Sequence, residues 1–271
     1  MQWRGHEEPV SSLAHMRPKT LLITGASSGI GKALALEYAR GGSKMALCAR
    51  REAELADVAR EVKDAGGEAL CIKLDVCDVD AVTEAVRRAD RELGSLEMVV
   101  ANAGRGDTKL STRLAWSDVA PVLDVNVRGA LATLVAAIPV MIAQKGGHLV
   151  GVSSLAGIRG LPTSAAYSAS KAALSTFLES LRIDLAPVGI KVTDVQPGFV
   201  ATPINEAADY PMPFRWPVGK AARHIARRLE RGRAPATVAF PWPLVVATRI
   251  ARVLPAWMYD RAVRSQSPSR S

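Results

Sequence analysis

Cysteine is scarce in this chain and carries no pattern. Cys48, Cys71 and Cys77 form no C-x-x-C pair, and their apolar neighbours place them in strands. That excludes a disulfide framework and a thiolate metal site. It leaves small buried hydrophobes in a reducing, cytoplasmic setting. Histidine is as sparse: His6, His15, His148 and His224 are scattered, and no spacing suits a metal ion. No segment repeats. Residues 1–18 are polar, contain Pro9 and Pro18 and lack an apolar core, so they read as a mobile tail and not as a secretory leader. The apolar run near the C-terminus is too short, and too interrupted by Arg249, Arg252 and prolines, to span a bilayer.

Apolar residues and positive charge are plentiful. At 271 residues and 48% hydrophobic, the chain suits one large α/β domain over 19–271. The net charge of +9 is uneven. Residues 215–271 carry twelve Arg or Lys against Glu230 and Asp260, whereas 1–214 are nearly balanced. Short apolar runs predict strands over 19–24, 44–48, 69–74, 96–100, 148–152, 190–195 and 237–240. Helical patterns cover about 30–40, 52–64, 79–93, 116–143, 167–185 and 220–231, with a kink expected at Pro139. In 167–185, Ala172, Ala173, Phe177 and Leu181 suit a packed face, part of which is expected to meet another subunit. This alternation predicts a Rossmann-type doubly wound parallel sheet with helices on both faces.

Three stretches carry chemistry. Gly25-Ala-Ser-Ser-Gly-Ile-Gly31 lies between the first strand and the first helix. In that context glycines let the backbone approach a pyrophosphate, and the helix N-terminus offers free N–H groups. After the second strand, where such folds place an acid for the adenosine ribose, the chain has Ala49, Arg50 and Arg51. An arginine there suits a 2′-phosphate. The third stretch runs from Ser154 to Lys171. Tyr167 and Lys171 are four apart, one turn on the same helix face. The ammonium favours the phenolate and lowers the Tyr pKa from roughly 10, although reaching neutrality would take about 4 kcal/mol. Tyr-x-x-x-Lys alone is common on ordinary helices. Ser154, at a strand end thirteen residues earlier, makes the combination specific, because its hydroxyl is placed to share a substrate oxygen. Asn126, amid apolar neighbours, is expected to need a buried partner.

Together these residues resemble the short-chain dehydrogenase/reductase family over 19–202. The likeness rests on Thr24 to Gly31, Asp75, Asn102-Ala-Gly104, Asn126, Ser154, Tyr167-x-x-x-Lys171 and Pro197-Gly198. The resemblance implies a single-domain nicotinamide oxidoreductase. Tyr167 would be its general acid or base, and Lys171 would hold the nicotinamide ribose and lower the Tyr167 pKa. Ser154 would bind the substrate oxygen, and Asn126 a water linking Lys171 to solvent. The cofactor would lie along Gly25, Ser27, Ser28, Gly29, Ile30, Gly31, Arg50, Asp75, Val76, Asn102, Ala103, Gly104, Tyr167, Lys171, Pro197, Gly198, Val200 and Thr202. Two departures stand out: Ala101 where a second Asn is frequent, and Ser28 where NADP enzymes often carry a basic residue. Arg50 then carries most of the expected preference for NADP(H) over NAD(H).

The C-terminal fifth fits the pattern less. Residues 199–233 read as a substrate loop, with Tyr210, Phe214 and Trp216, followed by a basic amphipathic helix in which Ala222, Ile225, Ala226 and Leu229 share a face. Residues 241–271 form an apolar and basic extension. Its apolar face is expected to close the substrate pocket or a subunit interface, with its arginines turned to an anionic partner such as a membrane surface. The expected partners are a small, apolar carbonyl or alcohol substrate and further copies of the chain. Nucleic acid is not expected, for want of a recognised motif. The competing function is a non-catalytic, dinucleotide-sensing protein on the same fold. An intact Ser154, Tyr167 and Lys171 argue against it.

Overall fold

The computed structural model describes residues 17–106, 108–205 and 211–264. Seven strands form one parallel sheet in the order β3-β2-β1-β4-β5-β6-β7. They are β1 (Thr20–Thr24), β2 (Lys44–Ala49), β3 (Glu68–Lys73), β4 (Met98–Ala101), β5 (Gly147–Val152), β6 (Ile190–Pro197) and β7 (Thr237–Phe240). Alternate strand residues point to opposite faces, and both faces are covered. Leu21 and Ile23 of β1 join the core beneath α1 (Gly29–Ala39), α2 (Glu52–Asp64) and α7 (Val218–Leu229). Leu22 joins the opposite core, with α3 (Val79–Leu93), α5 (Ala130–Ala143) and α6 (Ala165–Leu185). The strand order turns back between β1 and β4, which opens a crevice at their C-terminal ends.

Several elements differ from the sequence expectation. Residues 116–143 do form one continuous helix, long and apolar enough to cross a membrane, but its inner face packs on the sheet. It consists of α4 (Trp116–Leu123), a π-helical turn over Asp124–Gly129, and α5. Its irregularity is at the π turn; α5 runs unbroken through Pro139. The packed face of α6 is Lys171, Leu174, Leu178 and Leu185, with Phe177 and Leu181 half-buried and Ala173 exposed. A helical period of 3.6 selects the 171-174-178 row against β5 and β6. Of the cysteines only Cys48 is buried, because β3 is an edge strand that leaves Cys71 exposed, and Cys77 is half-buried beyond it.

Of the expected N-terminal tail, residues 1–16 lie outside the described residues. Arg17 and Pro18 are tied down: Arg17 Nε donates to Glu230 Oε1 at 2.8 Å, and Pro18 O accepts from Ser43 Oγ. The basic helix is α7, whose buried face adds Ala221 to the four expected residues. Beyond β7 the proline-punctuated run folds into two helices, α8 (Trp242–Val253) and α9 (Ala256–Arg264).

Candidate active site

The C-terminal ends of β1, β4, β5 and β6 border one cleft. Its floor is the glycine turn. Gly25 and Gly29 have φ of +67° and +57°, where side chains are disfavoured. A Cβ on Gly25 would stand 2.7 Å from Ala103 Cα, and one on Gly31 would stand 2.5 Å from both Gly25 O and Asn102 Nδ2. Gly31 is thus the packing point that presses α1 onto the turn, and it does not line the cleft. Asn102 staples the turn to β4 by donating from Nδ2 to Thr24 O at 2.9 Å and Gly25 O at 3.2 Å. Thr24 Oγ1 accepts from the N–H groups of Asn102 and Ala103. Ser28 sits at the N-cap of α1 without a side-chain capping bond, so the first-turn N–H groups remain available. A glycine-based cradle at an uncapped helix N-terminus fits the pyrophosphate of a dinucleotide. Gly25, Ser27, Ser28, Gly29 and Ile30 all line it.

Both arginines after β2 line the cleft. Arg51 Nη2 donates to Ser27 Oγ at 3.0 Å and Ser28 Oγ at 3.1 Å, and so faces the glycine turn. Arg50 points the other way, 3.9 Å from the Asp75 carboxylate. Sequence reasoning singled out Arg50 alone; Arg51, at the N-cap of α2, is the guanidinium that joins Ser27 and Ser28. Asp75 Oδ1 accepts from Cys77 N at 3.0 Å, and both Asp75 and Val76 line the cleft.

The opposite wall gathers Ser154, Tyr167 and Lys171. Ser154 ends the loop from β5; its Oγ donates to Pro197 O at 3.3 Å and accepts from Ala156 N at 3.1 Å. Lys171 is buried in α6, and its Nζ donates to Val152 O at 2.9 Å and lies 5.6 Å from the Tyr167 ring centre. Burial pushes the Lys171 ammonium down to about 8, and the charge of Asp194 partly restores it. Asn126 lies behind the wall and not on it. Its Oδ1 accepts from Arg105 N at 2.7 Å, and its Nδ2 donates to Arg105 O at 2.8 Å and Ser170 Oγ at 3.0 Å. Ser170 in turn donates to Tyr167 O at 2.7 Å. The buried partner expected for Asn126 is therefore the backbone of the loop after β4 together with α6. The π turn swings Asn126 into that position, as such turns often do at functional sites. Asn126 Oδ1 and Lys171 Nζ both flank Gly104, each 3.5 Å from where its Cβ would be. Ala103 and Gly104, with Pro197, Gly198, Val200 and Thr202, complete the lining.

Asp194 was not foreseen. It is buried on β6, where Ser153 Oγ and Gln196 Nε2 donate to it, the latter at 2.6 Å. Burial pushes its carboxyl up, and the hydrogen bonds from Ser153, Gln196 and Ser175 and the charge on Lys171 oppose this. The one signal in the sequence was a carboxylate inside a run otherwise read as buried strand.

Trp216 stacks on Phe240 at 5.0 Å between ring centres and pairs its backbone with Val200 and its neighbours, while Phe214 is exposed. Pro203 and Ile204 do reach the cleft, and Tyr210 lies outside the described residues.

Comparison with known proteins agrees with this geometry. The model of the short chain dehydrogenase family matches residues 19–211. An uncharacterized oxidoreductase of Myxococcus xanthus is 48% identical over 252 residues, spanning 93% of this chain and 99% of that protein. An uncharacterized oxidoreductase of Staphylococcus saprophyticus is 34% identical over 73% of this chain and 85% of its own length. Among solved structures, a short-chain type dehydrogenase/reductase from Mycobacterium marinum superposes with a TM-score of 0.74 at 29% identity, over 83% of this chain and 95% of that one. An NAD+-bound xylitol dehydrogenase gives 0.74 at 28% identity, over 82% and 97%.

Proposed function

This chain belongs to the short-chain dehydrogenase family, and on that premise we propose that it interconverts an apolar carbonyl compound and its secondary alcohol with NADP(H). The observation that carries the proposal is that Ser154, Tyr167 and Lys171 border the same cleft as the glycine turn. The nicotinamide, when bound, supplies or accepts the hydride. The chain's own residues do the rest. Tyr167 Oη gives a proton to the carbonyl oxygen in reduction and takes it back in oxidation. Ser154 Oγ donates a hydrogen bond to the same oxygen and fixes its position. Lys171, held by Val152 O, stabilises the phenolate and binds the nicotinamide ribose. Asn126 anchors the loop at Arg105 and the helix at Ser170, and holds a water on the proton path. A chain that merely sensed the dinucleotide would not need a proton donor beside a buried ammonium.

NADP(H) preference rests on Ala49 standing where a carboxylate would hold the ribose, and on two guanidinium groups lining that end of the cleft. The apolar substrate is supported by Val125, Pro203 and Ile204 in the lining of the cleft, which favours a substrate-side role for the first residues of 199–233. Exposed Val135 and Ile142 on α5 and Ile183 on α6 offer a face to a second copy. Three free cysteines suit a reducing, cytoplasmic setting. The test is a panel of carbonyl substrates assayed with NADPH and with NADH. NADPH is expected to give the higher kcat/KM. Arg50→Ala and Arg51→Ala together should lower that preference by about 1.5–3 kcal/mol, the scale of a hydrogen bond to a charged group. Equal efficiency with both cofactors in the wild type contradicts the NADP(H) assignment.

A further inference from the structure

The C-terminal helices show solvent the face that a core helix would hide. Trp242, Val246, Ile250 and Val253 of α8 fall at i, i+4, i+8 and i+11, along one side. That side points outward: Trp242 is 76% exposed and Val253 80%, with Val246 and Ile250 also exposed. Trp257, 70% exposed, and Met258 continue the apolar surface onto α9. The opposite side of α8 is already used. Leu244 Cδ1 comes within 2.8 Å of where a Gly198 Cβ would stand, and the Arg159 guanidinium donates to Ala251 O and, at 2.9 Å, to Leu254 O. Arg159 also lies 4.1 Å from the Tyr259 ring centre, and Tyr259 Oη donates to Gly160 O at 2.7 Å. The two helices are therefore fixed to the loop that follows Ser154, beside the mouth of the cleft.

Arg249 and Arg252 are exposed along the edge of the apolar row, and Arg261 is exposed on α9. A second copy laid face to face would bring these arginines together, and residues 215–271 contain only Glu230, which is buried, and Asp260 to answer them. An anionic lipid surface answers both features, with acyl chains for the Trp, Val and Ile side chains and phosphates for the arginines. Trp rings at either end of an apolar row also suit the headgroup level. Twelve residues of helix cannot cross the bilayer core, so α8 would lie in the plane of the surface. We propose that α8 and α9 form a docking surface for anionic lipid, which brings the mouth of the cleft to the membrane.

The experiment is co-sedimentation of the full chain with phosphatidylcholine vesicles, with and without phosphatidylglycerol, over a salt series. Binding is expected with phosphatidylglycerol at low salt and should fade as the Debye length falls from about 10 Å at 0.1 M to about 3 Å at 1 M. Trp242→Ser with Val253→Ser, and separately Arg249→Gln with Arg252→Gln, should each weaken binding by about tenfold or more. NADPH binding, measured in the same samples, should not change, since none of these residues lines the cleft. Absence of sedimentation with phosphatidylglycerol at low salt, or variants that bind as the wild type does, overturns the proposal. So does a dimer in solution that Trp242→Ser with Val253→Ser converts to monomer, because the face then belongs to a second copy.

Discussion

Asp194 is a carboxylate in the middle of a parallel sheet, a place such a group occupies only with partners. Ser153, Gln196 and Ser175 supply hydrogen bonds, and Lys171 supplies charge. Burial lowers the Lys171 pKa to about 8, and Asp194 raises it against that trend. Asp194→Asn removes the opposing charge, so Lys171 should lose its proton at a lower pH. The alkaline limb of the kcat/KM profile is then expected to move to lower pH, while the fold and cofactor binding are retained. A limb at the same pH in both proteins contradicts the coupling. At this scale the sequence displayed the site unevenly. Tyr167, Lys171 and Ser154 declared themselves because their chemistry is set by spacing along the chain. Asp194 did not, because its partners on β5 and α6 are brought to it only by strand order. Spacing does not separate Arg50 from Arg51: Arg51, at the N-cap of α2, is the one that faces the glycine turn.

Among the elements, helices whose apolar residues repeat every three to four positions were legible almost to the residue: α2 and α3 begin and end where their patterns do. The π turn was not, since nothing in Asp124–Gly129 distinguishes it from ordinary helix. Within it Asn126 bonds the loop after β4 and α6 at once. β5 carries a second polar group in the core, His148, whose Nε2 lies 2.9 Å from Thr193 Oγ1. Burial pushes His148 from its usual 6.5 down to about 3. Between those values the unfolded chain binds a proton that the folded chain does not, so stability is full above pH 6.5 and falls as pH drops towards 3. Urea unfolding at about pH 4.5 should show up to about 2–3 kcal/mol less stability from this one residue than at pH 7, and His148→Gln should flatten that part of the dependence. An identical pH dependence in the variant contradicts a neutral buried His148.

For the whole molecule, alternation of strands and helices foretold a doubly wound sheet, and the glycine turn foretold the end at which the cleft opens. The order of the strands and the fate of the C-terminal extension were beyond it. Prolines and arginines broke up the run after β7, and what settles α8 and α9 is a distant contact with Arg159. The apolar face expected to close the substrate pocket or a subunit interface adds nothing to the lining of the cleft and is turned to solvent in the single chain. The charge imbalance belongs to this part of the sequence. One cleft is lined by both the glycine turn and Tyr167. The most direct measurement is turnover of the wild type and Tyr167→Phe with NADPH and a carbonyl substrate, under conditions where chemistry limits the rate, with NADPH affinity determined on the same preparations. The account predicts a loss of about a hundredfold or more in the variant with cofactor affinity intact. Turnover in Tyr167→Phe close to that of the wild type would contradict it.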